Sequence, residues 1–393
     1  MRTPTDGYPR FSEAEYQRRF RLVRQLMERE GVEALLLHGS PVAVGPVHYL
    51  SNFPPMRPTW LLFALDGPST LLLHFHNHIP NARALGIVED VRCYWPSAPA
   101  AVAEELCRRG LERARVGVVG LATTIPYQQF DELRRLLPEA GFRDLAGPYN
   151  RIRWVRSAEE LQWLRRSAEL TDRTCELLEE RIRPGLTEHD LVAVIHQAFL
   201  PRGGQAGLHF VAATSMTRPD RFVPWQFPST RRLAPGDVVI TEITVSYWGY
   251  GAQIHRPFAV AAEPTPRYRE LYQVALEAFD HVSQALRAGA TSDQVVRAAS
   301  VIERRGFTVY DSVVHGEGGR SPELGTAGSA HTVEPWTFEE DQVMVVQPNP
   351  VSPDQRAGLQ LGCAVRVGRE GAEPLHRYPF KFPVCGGGLV ANR

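Results

Sequence analysis

Residues 233–258 read LAPGDVVITEITVSYWGYGAQIHRPF, and this stretch decides the fold of the second half of the chain. Two apolar runs, Val238–Val245 and Gly251–Val260, flank a short connection of aromatic and glycine residues. Two strand-like runs joined by a short linker that contains glycine are typical of a β-hairpin. The stretch therefore predicts two long antiparallel strands.

Polar side chains interrupt this apolar hairpin. If the turn lies at 247–248, Glu242 pairs with Gln253 on the opposite strand. Side chains alternate in direction along a strand, so Glu242, Gln253 and His255 share one face. These polar side chains need hydrogen-bond partners, and a water-filled pocket would provide them. A solvent-exposed hairpin face is the alternative.

The sequence around the hairpin predicts further helices and strands. Ser157-Ala158-Glu159-Glu160 is a helix-capping signature, and a long amphipathic helix follows it. Predicted helices then cover 188–200, 268–288 and 292–305, and predicted strands cover 309–315, 343–347 and 359–367. Together these elements predict a larger α+β domain at residues 151–393.

The first 150 residues alternate strand-like and helix-like segments. Ser12 caps a predicted helix that ends before Gly31, and a buried strand follows at Ala34–Leu37. Further strands are predicted at 60–64, 70–75 and 116–119. This pattern predicts a smaller α/β domain, with a mixed sheet and flanking helices, at residues 1–150.

Composition narrows the classes of partner. The 393 residues include 44 basic and 44 acidic side chains, so no net field attracts nucleic acid or an anionic membrane. The apolar runs are much shorter than a membrane span, and the first residues lack the core of a signal peptide. Five scattered cysteines argue against a disulfide framework. We therefore expect a cytoplasmic protein whose partners include neither nucleic acid nor a membrane.

A second candidate group follows the predicted strand at 309–315. His315 and Glu317 share one face at its end, and the adjacent glycines in VVHGEGG allow close backbone approach. In the functional interpretation, His315 is a general acid or base and Glu317 or Glu242 orients it. In the alternative, His315 is bonded to a backbone carbonyl beside a flexible loop.

Several segments in one order resemble a known superfamily. They are RWVRSAEELQWLRRSAELTD from Arg153, RPGLTEHDL from Arg183, the hairpin stretch, VVHGEGG from Val313 and FEEDQVMVVQPNP from Phe338. Together they resemble the creatinase, aminopeptidase P and methionine aminopeptidase superfamily. LSNFPP from Leu50 is similar to its N-terminal domain. The resemblance implies a pita-bread catalytic domain, a smaller creatinase-type α/β N-terminal domain and a homodimer.

The metalloenzymes of that superfamily hold two divalent cations with Asp, Asp, His, Glu and Glu. The matching positions here are Glu242, Gln253, His315, Gln347 and Gly362. Two divalent ions carry four positive charges, but this set of residues contains a single carboxylate, Glu242. Amide carbonyls are weak substitutes, so we expect no metal and no other cofactor.

The resemblance also implies roles for other residues. Trp225 occupies the position of the superfamily's proton-carrying histidine, where it either stacks on a flat or cationic ligand or fills the vacated cavity. Gln347 and Gln360 either bind a polar substrate or bond inertly to each other. Arg57 lies where creatinase-like enzymes hold a substrate carboxylate across the dimer, and an exposed surface arginine is the alternative.

Four hypotheses for function follow. The leading one is a metal-independent creatinase-like hydrolase of specialised metabolism that acts on a C–N bond of a small amide- or amidine-type metabolite. In it, His315 and Glu242 handle protons, and Gln253, His255 and Gln347 position the substrate. The alternatives are a non-catalytic protein that binds a metabolite or partner, a metal-dependent Xaa-Pro peptidase, and a lyase or isomerase.

Overall fold

The computed structural model describes residues 7–41, 43–221, 223–317, 320–329 and 335–387. The chain folds into two compact units, Met1–Trp154 and Val155–Arg393. Each unit has its own sheet and its own apolar core.

The first unit is a six-stranded mixed sheet with helices packed against it. The strand order is β4-β3-β2-β1-β5-β6, in which β1 pairs antiparallel with β2 and parallel with β5. As predicted, Ser12 caps the first helix and Gly31 ends it in the left-handed conformation. The strands are β1 Ala34–Gly39, β2 Thr59–Ala64, β3 Thr70–Leu73, β4 Asp90–Cys93, β5 Arg115–Val119 and β6 Gly141–Asp144. The helices are α1 Glu13–Glu30, α2 Gly45–Ser51, α3 Ile79–Leu85, α4 Ala98–Arg108, α5 Tyr127–Leu136 and α6 Ala146–Trp154.

The second unit is built on a nine-stranded sheet. Its main path runs β11-β10-β12-β13-β9-β8-β7, with β14 beside β13 and β15 beside β9. The strands are β7 Gln205–Ser215, β8 Asp237–Tyr247, β9 Tyr250–Val260, β10 Val314–Gly316, β11 Arg320–Leu324, β12 Val343–Val346, β13 Gly362–Val367, β14 Ala372–Pro374 and β15 Val384–Cys385. The helices are α7 Ala158–Arg181, α8 Glu188–Phe199, α9 Pro266–Ala285, α10 Ser292–Ala299 and α11 Val301–Arg304. The predicted capping box of α7, formed by Ser157 and Glu160, is present.

The β8–β9 hairpin corrects the predicted register. Its turn is at Trp248 and Gly249, one residue later than expected, and Glu242 pairs with His255 instead of Gln253. Both turn residues have positive φ angles, 48° and 80°, which is the conformation that a tight two-residue hairpin requires. The shift moves the pairing by two positions, so the side chains keep the predicted face.

A buried arginine holds the junction between β9 and β13. The Arg256 guanidinium donates to the carbonyl oxygens of His255 and Gly362, each at 2.8 Å, and of Tyr378 and Pro379 at 3.0 and 3.1 Å. Its cation also lies 4.1 Å from the centre of the Phe380 ring. These contacts satisfy the charged group in the core and fix where β13 starts.

The sequence argues against a membrane-spanning helix and against disulfide bonds, and both points can be examined in the described residues. Within them, no helix combines the length and apolar character that a membrane crossing requires. The five cysteines are free thiols, of which Cys175, Cys363 and Cys385 are buried, Cys93 is half-buried and Cys107 is exposed.

Gly362 lies where β13 meets β9 and has a φ angle of 151°. A Cβ atom there would lie 2.1 Å from the Val346 carbonyl oxygen and 2.8 Å from the Gln347 Cα. We expect Gly362→Ala to lower the free energy of unfolding by at least about 2 kcal/mol, because both the backbone angle and the contact become strained. Urea denaturation of the purified variant measures this.

Gly147→Ala is the matched control for that measurement. Gly147 is in α6 and has nothing within 4 Å of an added Cβ. We expect it to be neutral or to stabilise by about 0.5–1 kcal/mol, as alanine does in a helix. Equal stabilities of the two variants would contradict the proposed constraint at Gly362.

Candidate active site

Five strands or strand ends bring the predicted polar residues together inside the second unit. Glu242 projects from β8, Gln253 and His255 from β9, His315 from β10, and Gln347 directly follows β12. Gln360 precedes β13 and joins the same cluster. Every one of these side chains is buried. The prediction that Glu242, Gln253 and His255 share a face is confirmed by their mutual hydrogen bonds.

The Glu242 carboxylate is held by two neutral amides. Gln253 Nε2 donates to Oε1 and Gln360 Nε2 donates to Oε2, each at 2.7 Å. Burial raises the pKa of Glu242 to about 7, and the negative charge of Asp311 raises it as well. The hydrogen bonds from Gln360 and Gln253 lower it, but they compensate only part of the cost of burial. Glu242 is therefore poised to change protonation state near neutral pH.

Gln347 lies at the centre of the network, and its neighbours fix its orientation. Its Nε2 donates to the Asp311 carboxylate at 3.1 Å and to the Ser312 carbonyl at 3.0 Å. Its Oε1 must therefore be the acceptor that faces His315 Nε2 at 3.0 Å and Gln253 Nε2 at 3.4 Å. The amide thus connects the Asp311 side of the site with the Glu242 side.

The ring of His315 lies between two oxygen acceptors. Nδ1 is 2.7 Å from the Gly316 carbonyl oxygen, and Nε2 is 3.0 Å from Gln347 Oε1. A neutral imidazole carries one N–H, so it satisfies only one of these two contacts. Both ring nitrogens therefore face an oxygen acceptor, so a proton carried by either nitrogen has a hydrogen-bond partner in place.

His255 has the opposite environment. It is completely buried, and burial lowers its pKa well below the usual range; the nearby charges of His315, Arg256 and His376 lower it further. Its Nε2 is 3.0 Å from Gln253 Nε2, so it accepts a hydrogen bond from that amide. His255 is thus a neutral group that orients Gln253.

Two residues of the site were missed by the sequence analysis. Asp311 Oδ2 accepts from Gln347 and, at 3.2 Å, from Asn349 Nδ2, while Asp311 Oδ1 accepts from the Ser312 N–H at 2.7 Å. Asp311 lies outside the quoted motifs, and Asn349 lies within FEEDQVMVVQPNP but at none of the matched ligand positions. The only available signal was a carboxylate four residues before His315 and an amide two residues after Gln347.

Glu317 is not hydrogen-bonded to His315, the residue that it was expected to orient. Its carboxylate is bonded to the Arg156 guanidinium and, at 2.9 Å, to the Gly251 N–H at the tip of the hairpin. The His315 ring is bonded to Gly316 and Gln347 instead. Glu317 thus connects the strand that carries His315 to the strand that carries Gln253.

Trp225 and Arg57 each have described contacts of their own. The Trp225 side chain is 37% exposed, and the Arg221 guanidinium lies 4.5 Å from its ring centre, so a protein cation already occupies one face. Arg57 is an exposed residue of the first unit, and its carbonyl oxygen accepts a hydrogen bond from Thr59. Its expected role in holding a substrate carboxylate stays a prediction.

The donor set of this site does not fit the two-metal centre of the resembled superfamily. Two divalent cations need several anionic ligands, but positions 253 and 347 carry neutral amides, and Gln253 directs an N–H group at Glu242. Gly362 has no room for a side chain. Within the described residues, no three His, Cys, Asp or Glu side chains come together in a metal-binding arrangement.

Comparison with known proteins agrees with this architecture. The model of metallopeptidase family M24 matches residues 162–369, and the model of the creatinase/prolidase N-terminal domain matches residues 19–155. The Xaa-Pro dipeptidase of Pyrococcus horikoshii is 20% identical over 354 residues, which cover 89% of this chain and 94% of that protein. The "Uncharacterized hydrolase/peptidase y4tM" of Sinorhizobium fredii is 24% identical over 304 residues, with 72% and 75% covered.

Solved structures show the same fold. The X-Pro aminopeptidase from Thermotoga maritima superposes with a TM-score of 0.81 at 19% identity and covers 93% of this chain and 99% of its own. The prolidase from Pyrococcus horikoshii gives 0.77 at 18% identity, with 92% and 99% covered. The predicted pita-bread catalytic domain and creatinase-type N-terminal domain are confirmed.

The M24 model matches more than half of the 393 residues. The prediction of a hydrolase-like enzyme in the creatinase and aminopeptidase P superfamily is thereby confirmed. The chain belongs to metallopeptidase family M24 and carries a creatinase/prolidase N-terminal domain before the catalytic domain.

Proposed function

We propose that this protein is a metal-independent, creatinase-like hydrolase that cleaves a C–N bond of a small amide- or amidine-type metabolite. One observation carries the proposal: both oxygens of the buried Glu242 carboxylate accept hydrogen bonds from neutral amides. Glutamine has nearly the shape of glutamate but presents N–H donors as well as an oxygen. The site therefore keeps an acid and a base but lacks the charge that binds divalent cations.

Glu242 and His315 have complementary proton chemistry in this proposal. Glu242, with its pKa raised to about 7, takes a proton from water as the water oxygen attacks the substrate carbon. The imidazolium of His315 gives a proton to the departing nitrogen as the C–N bond breaks. Both groups exchange protons with solvent before the next turnover, so one water is consumed for each bond cleaved.

The amides set the geometry of this acid and base. Gln253 bonds to Glu242 and lies 3.4 Å from Gln347, which in turn accepts from His315. Along this hydrogen-bonded path two amides separate Glu242 from His315, and within the described residues the two side chains form no direct hydrogen bond. A substrate carbon and its leaving nitrogen need such a separation between the group that activates water and the group that donates a proton.

Two observations favour other functions. Relatives are named Xaa-Pro dipeptidase, which favours a metal-dependent peptidase on this fold. The amides already have partners in the protein, Gln253 in Glu242 and His255 and Gln347 in Asp311 and His315, and this internal satisfaction favours a non-catalytic binding protein. Elimination or isomerisation would use the same acid and base, and product analysis separates them from hydrolysis.

The neutral amides around Glu242 predict that the protein retains little metal. After incubation with manganese, cobalt or zinc and desalting, we expect wild-type protein to keep less than about 0.1 ion per chain by mass spectrometry of the metal. The double variant Gln253→Asp, Gln347→Glu restores carboxylates at two ligand positions, and we expect it to retain about one ion per chain.

Gln284→Glu adds charge on an exposed part of α9 and serves as the control, with no gain expected. Two ions retained by wild-type protein would overturn the metal-independent proposal and restore the peptidase alternative.

The protonation of Glu242 can be measured without a substrate. In protein labelled with ¹³C at the glutamate carboxyls, we expect one resonance to titrate near pH 7, and Glu242→Gln should remove it. In Asp311→Asn, we expect its midpoint to fall, because a nearby negative charge that opposes ionisation of Glu242 is gone. A midpoint near 4.5 that Asp311→Asn leaves unchanged would contradict the assignment of Glu242 as the base.

Catalysis itself is tested with a panel of small amides, amidines and Xaa-Pro dipeptides, with amine release as the readout and a chelator present. For any substrate that is cleaved, we expect His315→Ala and Glu242→Gln to lower kcat by at least about 100-fold, which is typical for loss of a general acid or base. His281→Ala, on an exposed part of α9, should leave kcat unchanged. Unchanged turnover in the site variants would refute the proposed roles.

A further inference from the structure

The Asp311 carboxylate lies in the site without a cationic partner among the described residues. It is half-buried, and the described donors to it are neutral: the Ser312 N–H, the Gln347 amide and the Asn349 amide. A partly desolvated carboxylate is stabilised further by a positive charge. None of the described donors to Asp311 carries a positive charge, so a cationic ligand would supply this stabilisation.

Asn349 supplies an acceptor next to this carboxylate. Its Nδ2 donates to Asp311, so its Oδ1 is the free end of the amide. Asn349 is 2% exposed, and Oδ1 is buried and has no hydrogen-bond partner. An unfilled buried acceptor is costly, and a donor from a bound molecule removes that cost.

The charge of the whole cluster points to the same kind of ligand. Two carboxylates, Glu242 and Asp311, are connected through Gln253 and Gln347. Within the described residues, neither carboxylate forms an ion pair with an arginine or a lysine. A cationic ligand would bring the positive charge that these described contacts do not supply.

We propose that Asp311 and Asn349 form a recognition dyad for an organic cation that donates several N–H groups, such as an amidinium or guanidinium group of the substrate. This inference rests on the proposed function and adds to it the charge of the substrate. A planar cation of this type donates one N–H to the Asp311 carboxylate and another to Asn349 Oδ1. Asp311 is half-buried whereas the other members of the cluster are buried, so the group approaches from the side of Asp311.

Methylguanidinium and N-methylurea provide the test, because they share a planar shape and differ in charge. Binding to the full chain is measured by isothermal titration calorimetry at constant ionic strength. We expect methylguanidinium to bind at least about 10-fold more tightly than N-methylurea, as hydrogen bonds to charged groups are the stronger ones. Equal affinities would overturn the inference.

Variants locate the binding. We expect Asp311→Asn to weaken methylguanidinium binding by about 10-fold or more and to abolish the preference over N-methylurea. Asn349→Ala, which removes the free acceptor, should weaken it several-fold and serves as the second variant if Asp311→Asn does not fold. Asp354→Asn removes a surface carboxylate paired with Arg267 and should have no effect. Binding that neither site variant weakens would place the cation elsewhere and refute the dyad.

Failure of this inference differs from failure of the proposed function. Cleavage of a neutral amide that depends on His315, with no binding of methylguanidinium, refutes the dyad and leaves the hydrolase. Binding of methylguanidinium that needs Asp311, with no turnover in the panel, supports the dyad and refutes the hydrolase.

Discussion

The structure of the site depends on one interaction, the clamp of Gln253 and Gln360 on the two oxygens of Glu242. A carboxylate buried without a cation is costly, and amide donors recover only part of its lost hydration. The pKa of Glu242, raised to about 7 from 4.5, reflects the part of the burial cost that the hydrogen bonds do not compensate. Because the folded state holds this proton more tightly than the unfolded state, the stabilising contribution of the group is lost as pH rises from about 4.5 to 7.

The clamp also explains why the fold must bring distant segments together. Gln253 is on the strand beside Glu242, whereas Gln360 is 118 residues away in sequence and arrives just before β13. Arg256 fixes that arrival through its bonds to the carbonyls of His255 and Gly362. One buried guanidinium on the opposite side of β9 from Gln253 and His255 thus supports the geometry of a carboxylate that it does not touch.

Much of this was predictable from the sequence, for physical reasons. The alternation of side chains in the hairpin placed Glu242, Gln253 and His255 on one face, and a pairing error of two residues did not change that result. The turn itself was misplaced because Trp248 adopts a positive φ angle, which its residue type does not favour. Asp311 lies three residues before β10 and Asn349 lies three residues after β12. The two were missed because they come together only through the pairing of β10 with β12. No local pattern encodes that pairing.

Gly362 limits which side chains this part of the site can hold. An acidic side chain there would need room that the Val346 carbonyl oxygen occupies, so the crossing of β9 and β13 would have to be rebuilt first. Gln253 and Gln347 can each be replaced by a carboxylate residue without that obstacle. Variants that keep this backbone therefore lack an acidic group at position 362, and changes to the site are limited to its amides and its remaining carboxylates.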